Sequence, residues 1–302
     1  WKYFAGKWTG WIYYQNSINS VYNKLERDSL MMNHMAGFSF QNNAKWKYNA
    51  EGEYIVDGTN KNDFFLNGSI TGKISERAFL SFAGRSLEKS PSYIFTKYSS
   101  NHFQWINTFS KIIETNFAVK YSNSKHKFQL GGSYANVFNY VYFDSTFLPA
   151  QFNEDATIYS AYAEKTFHVK KFNFYNRITW QQSSADVIRL PELAAYHSFY
   201  YESKWFKHVM DVQIGLDIRF NTEYFADAYM PALGQYYLQN EKKIGNYPFA
   251  DFFFNMKVKR VRIFFKTEHF LSGFLGNTYY LASHYPAPDR SFKIGVNWIF
   301  FD

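Results

Sequence analysis

The chain has 302 residues, with 33 Lys and Arg against 25 Asp and Glu, no Cys, and 34 Phe, 26 Tyr and 8 Trp. Its bulk comes from rings, which make up 23% of the residues, rather than from the Leu, Ile, Val and Ala of an ordinary soluble core. The absence of Cys excludes a disulfide scaffold, an iron–sulfur cluster and a Cys-ligated zinc site, and apolar runs no longer than four residues exclude a membrane helix, which needs roughly 18.

The chain opens without Met and without a charged-then-apolar leader, so it reads as a processed or partial protein whose targeting signal lies outside these residues. What recurs along it is a stretch of roughly 10–14 residues alternating apolar and polar, bounded by turn chemistry. A first strand ends at a long gap, Ser17–Asp28; a tight turn at Gln41–Asn43 and a moderate gap at Asp57–Lys61 follow. In Asp63–Ile74, Phe64, Leu66, Ile70 and Ile74 oppose Asp63, Asn67, Ser69, Thr71 and Lys73. A tight turn at Ser75–Glu76 and a long gap at Ser90–Ser100 lead to Asn101–Ser122, which must then be one strand of 22 residues, although Lys111–Glu114 alone reads as a turn.

A tight turn at Asn123–Lys125, a long gap at Asp144–Asp155 and a tight turn at His168–Lys171 come next. In Phe172–Gln182, Phe172, Phe174, Ile178 and Trp180 oppose Asn173, Tyr175, Arg177, Thr179 and Gln181. A long gap at Ala185–Ala194 and a tight turn at Phe206–His208 precede His208–Phe220, where Met210, Val212, Ile214, Leu216, Ile218 and Phe220 share one face and Asp211, Gln213, Asp217 and Arg219 the other. Glu223–Asn246 is long, Lys259–Val261 tight and Leu271–Ser291 long, and Phe292–Phe300 alternates again. Period 2 puts each pair of sets on opposite faces of a sheet.

The count is fourteen strands, with tight turns and long gaps alternating and both chain ends on the turn side. That predicts an all-β fold: one transmembrane antiparallel β-barrel over residues 1–302, with short periplasmic turns and long extracellular loops. A soluble sheet with one wet face would use strands of about five or six residues, shorter than these.

Charges fall on the polar faces, because a charge facing lipid at mid-membrane costs roughly 2–4 kcal/mol. Candidate lumen residues are Arg177, Asp211, Asp217, Arg219, Arg260, Arg262 and Lys293, with Asp251, Asp289, Arg290 and Asp227 expected near a constriction. Two readings stay open: a positive lumen that favours anions, or a plugged one in which Asp211, Asp217, Arg219, Arg260 and Arg262 only pair with each other. Tyr224–Gly234 and Tyr279–Arg290 are loops too rich in rings to float free, and they should pack over the mouth or into it. Tyr3, Phe4, Trp8, Trp11, Tyr13, Tyr279, Tyr280, Trp298, Phe300 and Phe301 are the expected interface girdles.

No basic run exists, so nucleic acid is not an expected partner. Outer-membrane lipid and lipopolysaccharide are, with other outer-membrane proteins or lipoproteins as further candidates. No cofactor is expected: the eight His lack metal-ligand spacing, and no nucleophile elbow, phosphate loop or dinucleotide fingerprint occurs. Glu268, His269 and His284 are the one set from which a barrel hydrolase could be imagined; solvated rim residues are the plainer reading, and no enzyme is expected.

The stretches Asn101–Trp105, Asn139–Asp144, Arg189–Leu193, Asn221–Gly234, Ile244–Asp251 and His284–Trp298 together resemble the putative-porin family of Bacteroidota outer membranes, over about residues 100–302. The resemblance implies an outer-membrane barrel and supplies no catalytic or ligand residues. The leading expectation is a passive channel for small polar or anionic solutes. The alternative is a closed structural or accessory barrel in a larger assembly, transport or secretion machine of the outer membrane.

Overall fold

The computed structural model describes residues 2–5, 8–21, 29–276 and 279–300. Alternating β-branched and aromatic residues leave extended chain as the favoured local state, and almost everything outside the loops is strand. In chain order the elements are β1 (Lys2–Ala5), β2 (Trp8–Val21), β3 (Ser29–Asn42), β4 (Trp46–Gly58), β5 (Phe64–Ser75) and β6 (Ala78–Lys89). A helical turn α1 (Tyr93–Thr96), β7 (Lys97–Ser99), β8 (Gln104–Ile106), β9 (Ile112–Asn123), β10 (Phe128–Phe143), β11 (Pro149–Val169) and β12 (Phe172–Ser183) follow. The remainder are β13 (Leu193–Trp205), β14 (Met210–Asn221), β15 (Ala228–Met230), β16 (Gln235–Tyr237), β17 (Phe249–Val258), β18 (Val261–Glu268), β19 (Tyr280–Ala282), β20 (Tyr285–Pro286) and β21 (Ser291–Trp298).

Fifteen strands form one antiparallel meander, β1-β2-β3-β4-β5-β6-β9-β10-β11-β12-β13-β14-β17-β18-β21, in which each pairs with its predecessor and successor in the list. Fourteen of these are long; β1 has four residues and precedes β2 within what the periodicity marks as a single first strand. Among the described residues β1 and β21 are not paired with each other. The short strands β7–β8, β15–β16 and β19–β20 are separate hairpins inside the loops.

The outward face is apolar and uncovered: Ile18 is 63% exposed, Phe117 58%, Ile178 51% and Ile294 67%. Trp298 and Phe300 are exposed in and beside the last strand, as girdle residues should be, whereas Trp11 shares the inner row of Ser39, Glu51 and Asn67 and Tyr279 is buried among loops. The side chains of Tyr3, Phe4 and Trp8, the 22–28 gap, Phe301 and Asp302 lie outside the described residues.

Two expectations about loops are corrected. Asn101–Ser122 is not one strand: the wall strand starts at Ile112, and Ser90–Lys111 is a loop containing α1 and the β7–β8 hairpin. A hairpin alternates in sequence as a strand does, so period 2 could not separate them. Conversely, Asp144–Asp155 is not a long gap. The Asp144 carboxylate accepts from the Thr146 and Leu148 amides at 2.8 and 3.2 Å, closing the turn at once, and β11 begins at Pro149. Its proline stands at the first strand position, where a missing donor costs least.

The buried apolar clusters form where the loops pack on the loop ends of wall strands. Trp105, Phe143, Met230 and Leu233 form one cluster, with Phe95, Tyr98 and Tyr237 against it. Tyr247, Tyr279 and Ala287 form another, and Val137, Ala156 and Ala185 a third. The Trp105 indole donates to the Ile94 carbonyl at 2.8 Å, which lets a large ring be buried without orphaning its N–H.

Candidate functional site

Strand register sorts the inner-face side chains into rows. At the turn end, Lys204, Asp211, Lys257, Arg262 and Asn297 lie directly opposite one another across β13, β14, β17, β18 and β21. The next row holds Glu202, Gln213, Asn255, Phe264 and Gly295, and the one beyond it Tyr200, Gly215, Phe253, Lys266 and Lys293. Towards the loops come Asp217 and Asp251, paired directly, with Glu268 and Ser291 paired beside them, and then Arg219.

Three carboxylates thus sit between Arg219 on the loop side and Lys266 and Lys293 on the turn side. Asp251 is the hub. One of its oxygens accepts from Arg219 Nη2 at 2.8 Å and lies 3.0 Å from Lys266 Nζ; the other accepts the His269 amide at 3.0 Å. Its side chain is 4% exposed, so burial is matched by three charge-assisted or amide donors. Glu268 bridges Lys266 at 3.3 Å and Lys293 at 2.7 Å, which relieves two lysines placed directly opposite each other.

A cavity of about 420 Å³ lies between this cluster and the loop that follows β18, with Arg219, Asp251, Lys266 and Glu268 on one side and Leu281 and Asp289 on the other. Buried His269 donates from Nδ1 to the Pro288 carbonyl at 2.7 Å and meets the Tyr247 hydroxyl at Nε2, 2.9 Å away. Burial pushes the Tyr247 phenol above its ordinary range, with Tyr279 adding to the shift. The Tyr279 hydroxyl donates to Asp289. Neither histidine bonds Glu268: His284 lies 3.6 Å from Glu241 instead.

Four loops interlock above the wall. Leu238 in the 222–248 loop donates to the Phe143 carbonyl at the end of β10, 2.9 Å away, although three wall strands separate β10 from β14. Arg189 of the 184–192 loop donates to Asn240 at 2.7 Å. Tyr285 meets Tyr229 edge-on with ring centroids 5.6 Å apart, and Lys242 stands over the Tyr280 ring. Half-buried Asp227 lies among these loops with Oδ1 unbonded, and burial raises its pKa against the pull of Arg189.

The sequence-derived candidates therefore divide. Asp217, Arg219, Asp251 and Lys293 belong to the loop-end cluster, and Asp289 closes its cavity. Asp211 and Arg262 belong to the turn-end row. Arg177 is on the inner face of β12, opposite Glu164 and stacked on the Tyr162 ring at 4.7 Å. Arg260 is corrected: it falls between β17 and β18, in the tight turn, and is no part of the wall. Arg290 is exposed, donates to the Ser272 carbonyl at 2.7 Å and covers Phe274. Lys266 and Glu268 are visible in sequence as polar-face charges, but their joining of Asp251 to Lys293 is not. His269 stands out in sequence only beside Glu268 and His284, neither of which it hydrogen-bonds; its partners are Asp251, Tyr247 and Pro288.

Residues 3–302 match the family described as putative porin. The chain belongs to that family. Among curated proteins none matches it. Solved structures with the same fold include the copper transporter OprC (TM-score 0.67, 13% identity, covering 99% of this chain and 55% of that one). Others are the FrpB iron transporter from Neisseria meningitidis (0.64, 10%, 98% and 53%) and the siderophore receptor PirA from Acinetobacter baumannii (0.63, 9%, 98% and 53%). The chain spans about half the length of these structures. This putative-porin member is an outer-membrane β-barrel protein.

Proposed function

We propose that this protein is a passive channel for small polar solutes, with anions preferred. What carries the reading is the state of the inner wall. It is charged and amide-rich along β14, β17 and β18, and cavities border it at both the loop end and the turn end. A second cavity, about 660 Å³, is bounded by Gln213, Asn255, Lys257 and Arg262 at the turn end. The apolar outward face fits a surround of outer-membrane lipid and lipopolysaccharide. A second reading, a closed accessory barrel, is favoured by one observation: the four interlocked loops over the wall.

Single-channel recording of the folded protein in a planar bilayer separates the two. A channel gives reproducible steps and a reversal potential on the anion side in a salt gradient. Arg262→Glu and Lys293→Glu should each move that potential toward cation preference, and Arg260→Glu, in the turn, should move it far less. A silent bilayer with inserted, folded protein overturns the channel reading and supports the closed one.

A further inference from the structure

The two charged groups on the wall differ in how far they satisfy themselves. At the loop end, the three cations Arg219, Lys266 and Lys293 are each bridged to Asp251 or Glu268. At the turn end, Lys257 and Arg262 face each other directly across β17 and β18. Among the described residues neither has an acid within ion-pair distance, and both are exposed. Asp211, opposite Lys257, lies 3.8 Å from Lys204 on its other side, and Glu202 accepts from Gln213 at 3.4 Å. Like charges placed directly opposite on a sheet repel unless something negative lies between them. Both border a cavity of about 660 Å³ that Lys204 and the carboxylates Asp211 and Glu202 also line, with the Asn297 amide continuing the row beyond Arg262.

We propose that Lys257 and Arg262, with Asn297 beside them, form a binding site for a small oxyanion, a phosphate or a carboxylate, at the turn end of the inner wall. The site names an anion step within the channel reading above and rests on it for its place in transport. A planar guanidinium and a point-charge ammonium together supply donors in two geometries, which suits a tetrahedral or planar oxyanion. Phe264 stands between this row and Lys266, lying over Gly295, where an added Cβ would come 2.3 Å from its ring. That ring separates the open turn-end cations from the neutralised loop-end cluster.

The test is equilibrium dialysis of the purified, detergent-folded protein against radiolabelled inorganic phosphate at low ionic strength. The expected result is saturable binding that weakens at least fivefold in Lys257→Gln/Arg262→Gln. It should stay within twofold of the parent in Lys293→Gln, which removes the same kind of charge from a bridged position, and be largely retained in Arg262→Lys. Folding of each variant is checked by heat-modifiable gel mobility. No saturable binding by the parent protein overturns the proposal, and so does an equal loss in Lys293→Gln, which would mark a general field effect. The readout does not depend on conduction. Phosphate binding by a protein silent in the bilayer keeps the site and rejects the channel, whereas anion-selective steps without phosphate binding do the reverse.

Discussion

Asp251 shows how a single carboxylate can organise a wall. It holds Arg219, Lys266 and the His269 amide together, so Asp251→Ala leaves Arg219 and that amide without their acceptor and Lys266 with Glu268 alone. Loss of about 1–3 kcal/mol of stability is expected, read from chemical denaturation in detergent, with Asp251→Asn falling between. The same variant unmasks positive charge, so its reversal potential should move further toward anions. Asp227 makes a different prediction. Its pKa is raised in the folded protein by burial, so the folded state holds the proton more tightly than the unfolded chain does. Stability of the loops is therefore highest below the ordinary carboxylate range and is lost as pH rises through the folded value. Asp227→Asn should flatten that dependence and protect the loops at neutral pH, as measured by limited proteolysis between pH 4 and 8. Glycine decides one local shape: an added Cβ at Gly131 would come 2.2 Å from the Tyr162 ring, on which Arg177 stacks. Gly131→Ala must lift that ring and Arg177 with it.

At the scale of elements, alternation revealed most of the wall. β5, β12, β14 and β21 were legible because lipid on one side and water on the other write period 2 into the sequence. Tight turns were legible for a similar reason, being runs of charged and polar residues such as Lys170–Lys171. What stayed hidden was the loops' internal structure. β7–β8 carries the same alternation as a wall strand, and only the burial of Trp105 against Phe143 and Met230 shows that it belongs to the cap. The site was legible by halves: face patterning finds its charges, whereas register decides which of them meet. Arg260 fails on that ground, one residue short of β18. Trp105→Ala removes the anchor of the 90–111 loop at a cost of about 3–5 kcal/mol to the cap. Proteolysis should then cut that loop while the wall's heat-modifiable mobility stays unchanged.

For the whole molecule the usual arrangement of apolar groups is turned round. The wall shows many of its rings and aliphatic side chains to the surroundings, and the buried clusters lie where the loops meet the loop ends of wall strands. Replacing residues 227–242 with a short flexible linker should therefore leave the wall folded and raise unitary conductance, if the 222–248 loop is what narrows the mouth.

The meander has a kinetic consequence. Each wall strand pairs only with its neighbours along the meander, so the sheet can zip from hairpin to hairpin with small loop-closure penalties. The cap cannot: Trp105 must find Met230 and Leu233, more than a hundred residues away in sequence. The cluster is complete only once β10 has brought Phe143 and the 222–248 loop has brought Met230 and Leu233. Assembly is thus forced into an order, wall before cap, and the cap's closure reports that the preceding strands have arrived.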